Sequence, residues 1–189
     1  MNFKEYIGLL ESKKIKIYHG GKKITKLEPK WMFHDNGNFQ EGVGIYFGTL
    51  ETAEQYIDTN KNDSIIEAEI VQKNFINSRG YISDFLSDKT MLKIVKDIFK
   101  ANKEEFYYFL SDWVYVEEPI YIEDSHLMEL VQMMKDEQVR NWQIQLSEID
   151  KFAFIDTWNK NTKIDGTYNS DLEFWCIINP RIKIKQFEK

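Results

Sequence analysis

Residues 41–57 read EGVGIYFGTLETAEQYI, and the change of character within them sets the class of fold. GVGIYFG is apolar, aromatic and β-branched, as a strand requires, with glycines punctuating it. LETAEQYI then reads as a helix, with Thr49 as the N-cap whose hydroxyl can accept an amide at the helix start. On the N-terminal side, Ile15, Ile17 and Ile24 alternate with lysines around YHGG at 18–21, which predicts a half-buried strand that stops at Gly20 and Gly21 with His19 at its end. Residues 2–13 place Phe3, Tyr6, Ile7 and Leu10 at helical spacing, a short amphipathic helix. WMFHDNGNFQEG at 31–42 has the composition of a loop. Its Trp31, Phe33, His34 and Phe39 suit either a lid or a loop pinned to the core.

Further strands are predicted at SIIEAEIV (64–71), KFAFIDTW (151–158), LEFWCIINP (172–180, ended by Asn179-Pro180) and IKIKQF (182–187). Between them the pattern is helical, with one or two helices over 83–112 and one amphipathic helix along HLMELVQMMKDEQVRNWQIQL (126–146). Strands scattered among helices without strict alternation predict an α+β fold, with a helical insertion over about 81–147. No Gly/Ser-rich linker divides the 189 residues, so a single domain over 1–189 is expected.

Composition narrows the chemistry. A net charge of -6 argues against a protein that coats nucleic acid, although Lys22, Lys23, Lys26 and Lys30 cluster locally. The single cysteine, Cys176, excludes an internal disulfide and an all-cysteine metal site, and fits a reducing compartment. No apolar run reaches the roughly 20 residues that span a bilayer, and the N-terminus has no signal-peptide pattern, so a cytoplasmic protein without a membrane partner is expected. GxxxxGK[ST], GxGxxG, HExxH and GxSxG are all absent. His19, His34 and His126 lack paired ligand spacing, so no metal site is expected.

Three segments remain that are dense in glycine, aromatic and polar residues: YHGG at 18–21, EGVGIYFGTLETAEQYI at 41–57 and IDGTYNSDLEFWCIINP at 164–180. Taken in that order they resemble the ADP-ribosyltransferase superfamily, in the His-Tyr-Glu branch that includes poly(ADP-ribose) polymerases and small phage and bacterial transferases. His19-Gly20 is similar to that branch's first strand. Gly42 through Phe47 with Ala53 and Tyr56 is similar to its second strand and following helix, and Glu173 before an apolar strand to its late glutamate. The Asp165-Gly166, Glu173-Phe174 and Asn179-Pro180 pattern also resembles the phage-type members.

The resemblance implies a split β-sheet core with flanking helices, and NAD as co-substrate without a metal. Nicotinamide leaves NAD through an oxocarbenium-like ribose, which a carboxylate, here Glu173, can stabilise. By the resemblance, His19 holds the adenosine-side ribose and Gly20 opens its backbone to the carboxamide. Tyr46 and Tyr56 sandwich the nicotinamide ring, and Thr52 contacts its carboxamide. Asp171, two residues before Glu173, would share its side if both lay in a strand, and is an acceptor-side candidate. The expected activity is mono-ADP-ribosylation, with a protein target favoured over nucleic acid, by a phage or bacterial effector. An NAD glycohydrolase and a catalytically silent NAD, ADP-ribose or protein-binding module are the alternatives. Taken singly, His19 also reads as a polar turn residue, Tyr46 as a packed strand aromatic and Glu173 as an exposed strand position.

Overall fold

Ile15 and Ile17 alternate with lysines and form the expected strand, β1 (Lys14–Lys22). It continues through His19, Gly20 and Gly21 instead of stopping there. The cause is its partner β3 (Asp63–Val71), which pairs antiparallel along its whole length, from Lys14 opposite Val71 to Lys22 opposite Asp63. β7 (Ile184–Gln186) pairs antiparallel with the other edge of β3, giving a sheet of order β1-β3-β7. On its lysine-bearing face Glu67 is only 4% exposed, covered by Lys16 Nζ at 3.3 Å and Lys185 Nζ at 3.1 Å. Burial raises the carboxyl of Glu67, but hydrogen bonds and charge from Lys185 and Lys16 outweigh it and hold the group below the ordinary glutamate value.

The chain is described from a computed structural model, over residues 13–32, 42–58, 61, 63–115 and 122–187. The helix predicted at 2–13 lies outside the described residues, as do Phe33, His34 and Phe39. Among the described residues the fold is mixed α+β, in two compact units: one takes the chain up to Asn77 and from Ile164 onward, the other Ser78–Lys163.

The first unit holds both sheets. The second sheet has the order β2-β6-β5-β4, built from β2 (Ile45–Phe47), β4 (Phe75–Asn77), β5 (Gly166–Asn169) and β6 (Phe174–Ile177). β4 and β5 are parallel while the other pairs are antiparallel. A parallel pair needs a long crossover, and here the whole of 78–163 is spent between the two strands. The sheets meet where Tyr18 and Gly48 exchange backbone hydrogen bonds of 2.9 and 2.8 Å. Thr49 caps the helix α1 (Leu50–Gln55) as predicted, accepting from the Thr52 amide.

The second unit is helical. In α2 (Asp88–Ala101) Met91, Ile94, Val95 and Ile98 are buried at helical spacing, and α3 (Lys103–Ser111) starts at the Asn102 cap. The single helix expected along 126–146 is two, α4 (Asp124–Met134) and α5 (Val139–Ile149). Residues 78–82 break it: the amides of Val139 and Arg140 donate to the carbonyls of Gly80 and Ser78, and Ile82 donates to Glu137. The strand expected at 151–158 is instead the helix α6 (Lys151–Asn161). A strand would bury Phe152 and Asp156 along with Phe154 and Trp158, but Phe152 is 58% exposed and Ile155 is buried in its place. Asp150 caps this helix by accepting the Ala153 amide. Phe154 and Trp158 then join Trp142 in an aromatic cluster with ring centroids 5.8–6.4 Å apart. The helical stretch therefore runs on to Asn161, beyond the expected end near 147.

Candidate functional site

His19 lies inside β1, opposite Ile66, and not at the end of the strand. Its Nδ1 is 2.7 Å from the Tyr46 carbonyl oxygen. A carbonyl only accepts, so Nδ1 carries the proton. The bond joins the first two sequence segments directly. It stands beside the Tyr18–Gly48 bridge, and the His19 ring also meets Phe47 at 5.6 Å between centroids.

Gly20 follows from the same junction. A Cβ there would sit 1.8 Å from the Ala53 carbonyl oxygen, so the start of β1's glycine pair is where α1 rests on the strand. Gly48 is packed less closely, with an added Cβ 3.2 Å from the Thr52 side chain and 3.4 Å from the Phe174 ring. Thr52 is thereby held against Gly48, with its hydroxyl 2.9 Å from that of Thr49. Tyr46 is half-buried between buried Ile45 and Phe47, and its hydroxyl donates to the Gly42 carbonyl at 3.2 Å. Tyr56 caps the far end of α1, one turn beyond Thr52, and is 63% exposed.

The third segment reaches the junction through β6. Phe47 pairs with Trp175, which sets Gly48 beside Phe174 and brings Glu173 to the same end of the sheet. Glu173 is exposed and is not a strand residue. It closes the turn 170–173 with a φ of +51°, the left-handed region that only a few non-glycine residues occupy. Asp171 lies in that turn too, so alternation along a strand cannot place it on the side of Glu173. Its amide donates to Asn169 Oδ1 at 2.9 Å, and its carboxylate is 3.4 Å from the Ser170 hydroxyl.

Other residues of the third segment do structural work. Asp165 accepts from the Asn74 and Asn179 side chains and donates its own amide to the Asn74 carbonyl, tying β4, β5 and the end of β6 together. A Cβ on Gly166 would lie 2.0 Å from the Cys176 carbonyl oxygen, so the Asp-Gly pair is explained by packing. Cys176 is buried, with its thiol 3.4 Å from the Gly42 carbonyl. Near the first segment, Glu28 pairs with Lys30 at 2.6 Å and Lys26 at 3.3 Å, and Lys30 chiefly holds its carboxyl below the ordinary value. Lys22 and Lys30 lie 5.0 and 5.1 Å from the Trp31 ring centre. The lysine cluster is thus partly neutralised in place.

The structure therefore brings together His19, Gly20, Tyr46, Thr52 and the start of β6 with Glu173, all within the first unit. It leaves Tyr56 at the exposed end of α1. One residue that sequence reading passed over is Asn169, whose side chain shapes the Glu173 turn. The signal was the Asn-Ser-Asp run, a turn composition in which Asn bonds an amide two residues on. An imidazole with its proton on Nδ1, a half-buried tyrosine and an exposed carboxylate form a set that can hold a polar ligand and oppose positive charge on it. Comparison with protein-family models, curated proteins and solved structures found no match.

Proposed function

We propose that the chain is an NAD-dependent mono-ADP-ribosyltransferase with an ADP-ribosyltransferase-like core, acting on a protein. The observation that carries the reading is the convergence of the three sequence segments: His19 bonded to the Tyr46 carbonyl, the Tyr18–Gly48 bridge, and Phe174 against Gly48 with Glu173 next to it. Segments some 150 residues apart resembled one family in order, and they meet at one end of two sheets.

In the proposed reaction the bond between the ribose anomeric carbon and the nicotinamide nitrogen breaks, and its electron pair leaves with the ring, neutralising it. The ribose gains oxocarbenium character, and an acceptor lone pair then forms the new bond while the acceptor's proton passes to solvent or a nearby base. Glu173 would oppose the developing charge and orient a ribose hydroxyl. His19 would hold the other ribose through Nε2. Gly20 would open its backbone to the carboxamide, with Thr52 beside it, and Tyr46 would pack on the nicotinamide, with Tyr56 as its partner across the ring. The excess of acidic residues, and the pairing of Lys26 and Lys30 with Glu28, favour a protein acceptor over nucleic acid.

The test is transfer of label from biotinylated NAD to proteins of a lysate by the wild type and by Glu173→Gln. Label on discrete proteins with the wild type, falling by about 100-fold or more in the variant while NAD binding is kept, is expected. Nicotinamide release with no labelled protein would reassign the site to a glycohydrolase. NAD binding without release would leave a binding module.

A further inference from the structure

Asn169 ends β5 directly opposite Phe174, where β6 begins, and so holds both feet of the turn that carries Glu173. It is 1% exposed, a burial at which a carboxamide ordinarily has partners for both of its ends. Its Oδ1 accepts the Asp171 amide at 2.9 Å. A backbone amide can only donate, so this bond decides which end of the side chain is oxygen. Nδ2 is then a buried donor without a partner. Such a group calls for an explanation. In the same turn Glu173 sits in the left-handed region at φ +51°, a second departure from relaxed geometry close by. Asn169 also shares a sheet face with Tyr46. Thr167 and Tyr46 both pair with Cys176, and Asn169 is two residues beyond Thr167 on the same strand.

We propose that Asn169 is the positioning residue of Glu173, its oxygen shaping the turn and its amide nitrogen receiving the Glu173 carboxylate when ligand is bound. The assignment rests on the functional reading above. Glu173 is one residue from Phe174, the cross-strand partner of Asn169, so a change of turn dihedrals brings the two groups within reach without moving a strand. Release of the positive φ is the motion that would do so. A carboxylate accepting a buried amide N–H is fixed in orientation and kept in its charged form, as an oxocarbenium neighbour needs.

Two variants separate the oxygen from the nitrogen. Asn169→Asp keeps an acceptor for the Asp171 amide and removes the donor, and Asn169→Ser keeps a neutral acceptor while withdrawing the amide nitrogen, its hydroxyl being too short to reach where Nδ2 stood if that hydroxyl stays on the Asp171 amide. Nicotinamide release is followed as kcat and KM, alongside hydrogen exchange at the Asp171 amide and thermal unfolding. Expected is a fall in kcat of about 10- to 100-fold with KM within about threefold, the size of one lost charge-assisted hydrogen bond, with Asp171 exchange still protected. Wild-type kcat in either folded variant would overturn the assignment, as would a loss of activity that only follows a loss of stability or of Asp171 protection. If the wild type releases no nicotinamide, the functional reading fails and this assignment falls with it. Wild-type turnover with unaffected variants overturns this assignment alone.

Discussion

Gly20 and Glu67 show how much a single position can decide. Gly20 faces the carbonyl of Ala53 at a distance no Cβ can share, so Gly20→Ala must push α1 off β1. A loss of about 3 kcal/mol, the upper range for overpacking, is predicted and is read by urea unfolding. Glu67 works through pH. Its carboxyl is held below the ordinary value in the fold, so the stability it adds is fully present above the unfolded glutamate value near 4.5. That contribution is lost as pH falls through the folded value. Wild type should therefore lose more stability between pH 7 and pH 3 than Glu67→Gln, measured by thermal unfolding at each pH. Equal losses would show that Lys16 and Lys185 do not hold the carboxylate. At this scale the sequence was partly legible: His19-Gly20 and Tyr46 stood out by type and spacing. Glu67 did not, because alternation made it a strand position while the lysines that enclose it come from β1 and β7, one of them far along the chain.

Among the elements, those with an unambiguous period were readable and those without one were not. Thr49 and the run after it gave α1, and Ile15 with Ile17 gave β1. KFAFIDTW fits a strand and a helix equally in Phe154 and Trp158, and only the exposure of Phe152 against the burial of Ile155 separates them. Ile155→Ala is accordingly predicted to cost about 2–4 kcal/mol and Phe152→Ala less than about 1. Asp150→Ala should cost about 1 kcal/mol through loss of the α6 cap. A larger cost at Phe152 than at Ile155 would contradict the helix. The break between α4 and α5 was illegible for a different reason. It is made by backbone bonds from 78–82, and such bonds leave no mark on side-chain periodicity. β4 and β5 are too short to show a period and exist because Asp165 and Asn74 pin their ends.

Over the whole molecule, strand patterns scattered among helical ones already predicted the α+β class, and no helix among the described residues is long and apolar enough to cross a membrane. The chain spends 78–163 on a helical unit between the parallel strands β4 and β5, so the candidate site is assembled from segments on either side of it. Spacing in the sequence cannot reveal such an assembly, because the segments that meet lie on either side of the helical unit. The most direct measurement is nicotinamide release from NAD by the purified full chain, with Glu173→Gln beside it. NAD-dependent release by the wild type and its near-abolition in the variant are expected, with both binding NAD. A folded wild type that neither binds NAD nor releases nicotinamide would contradict it.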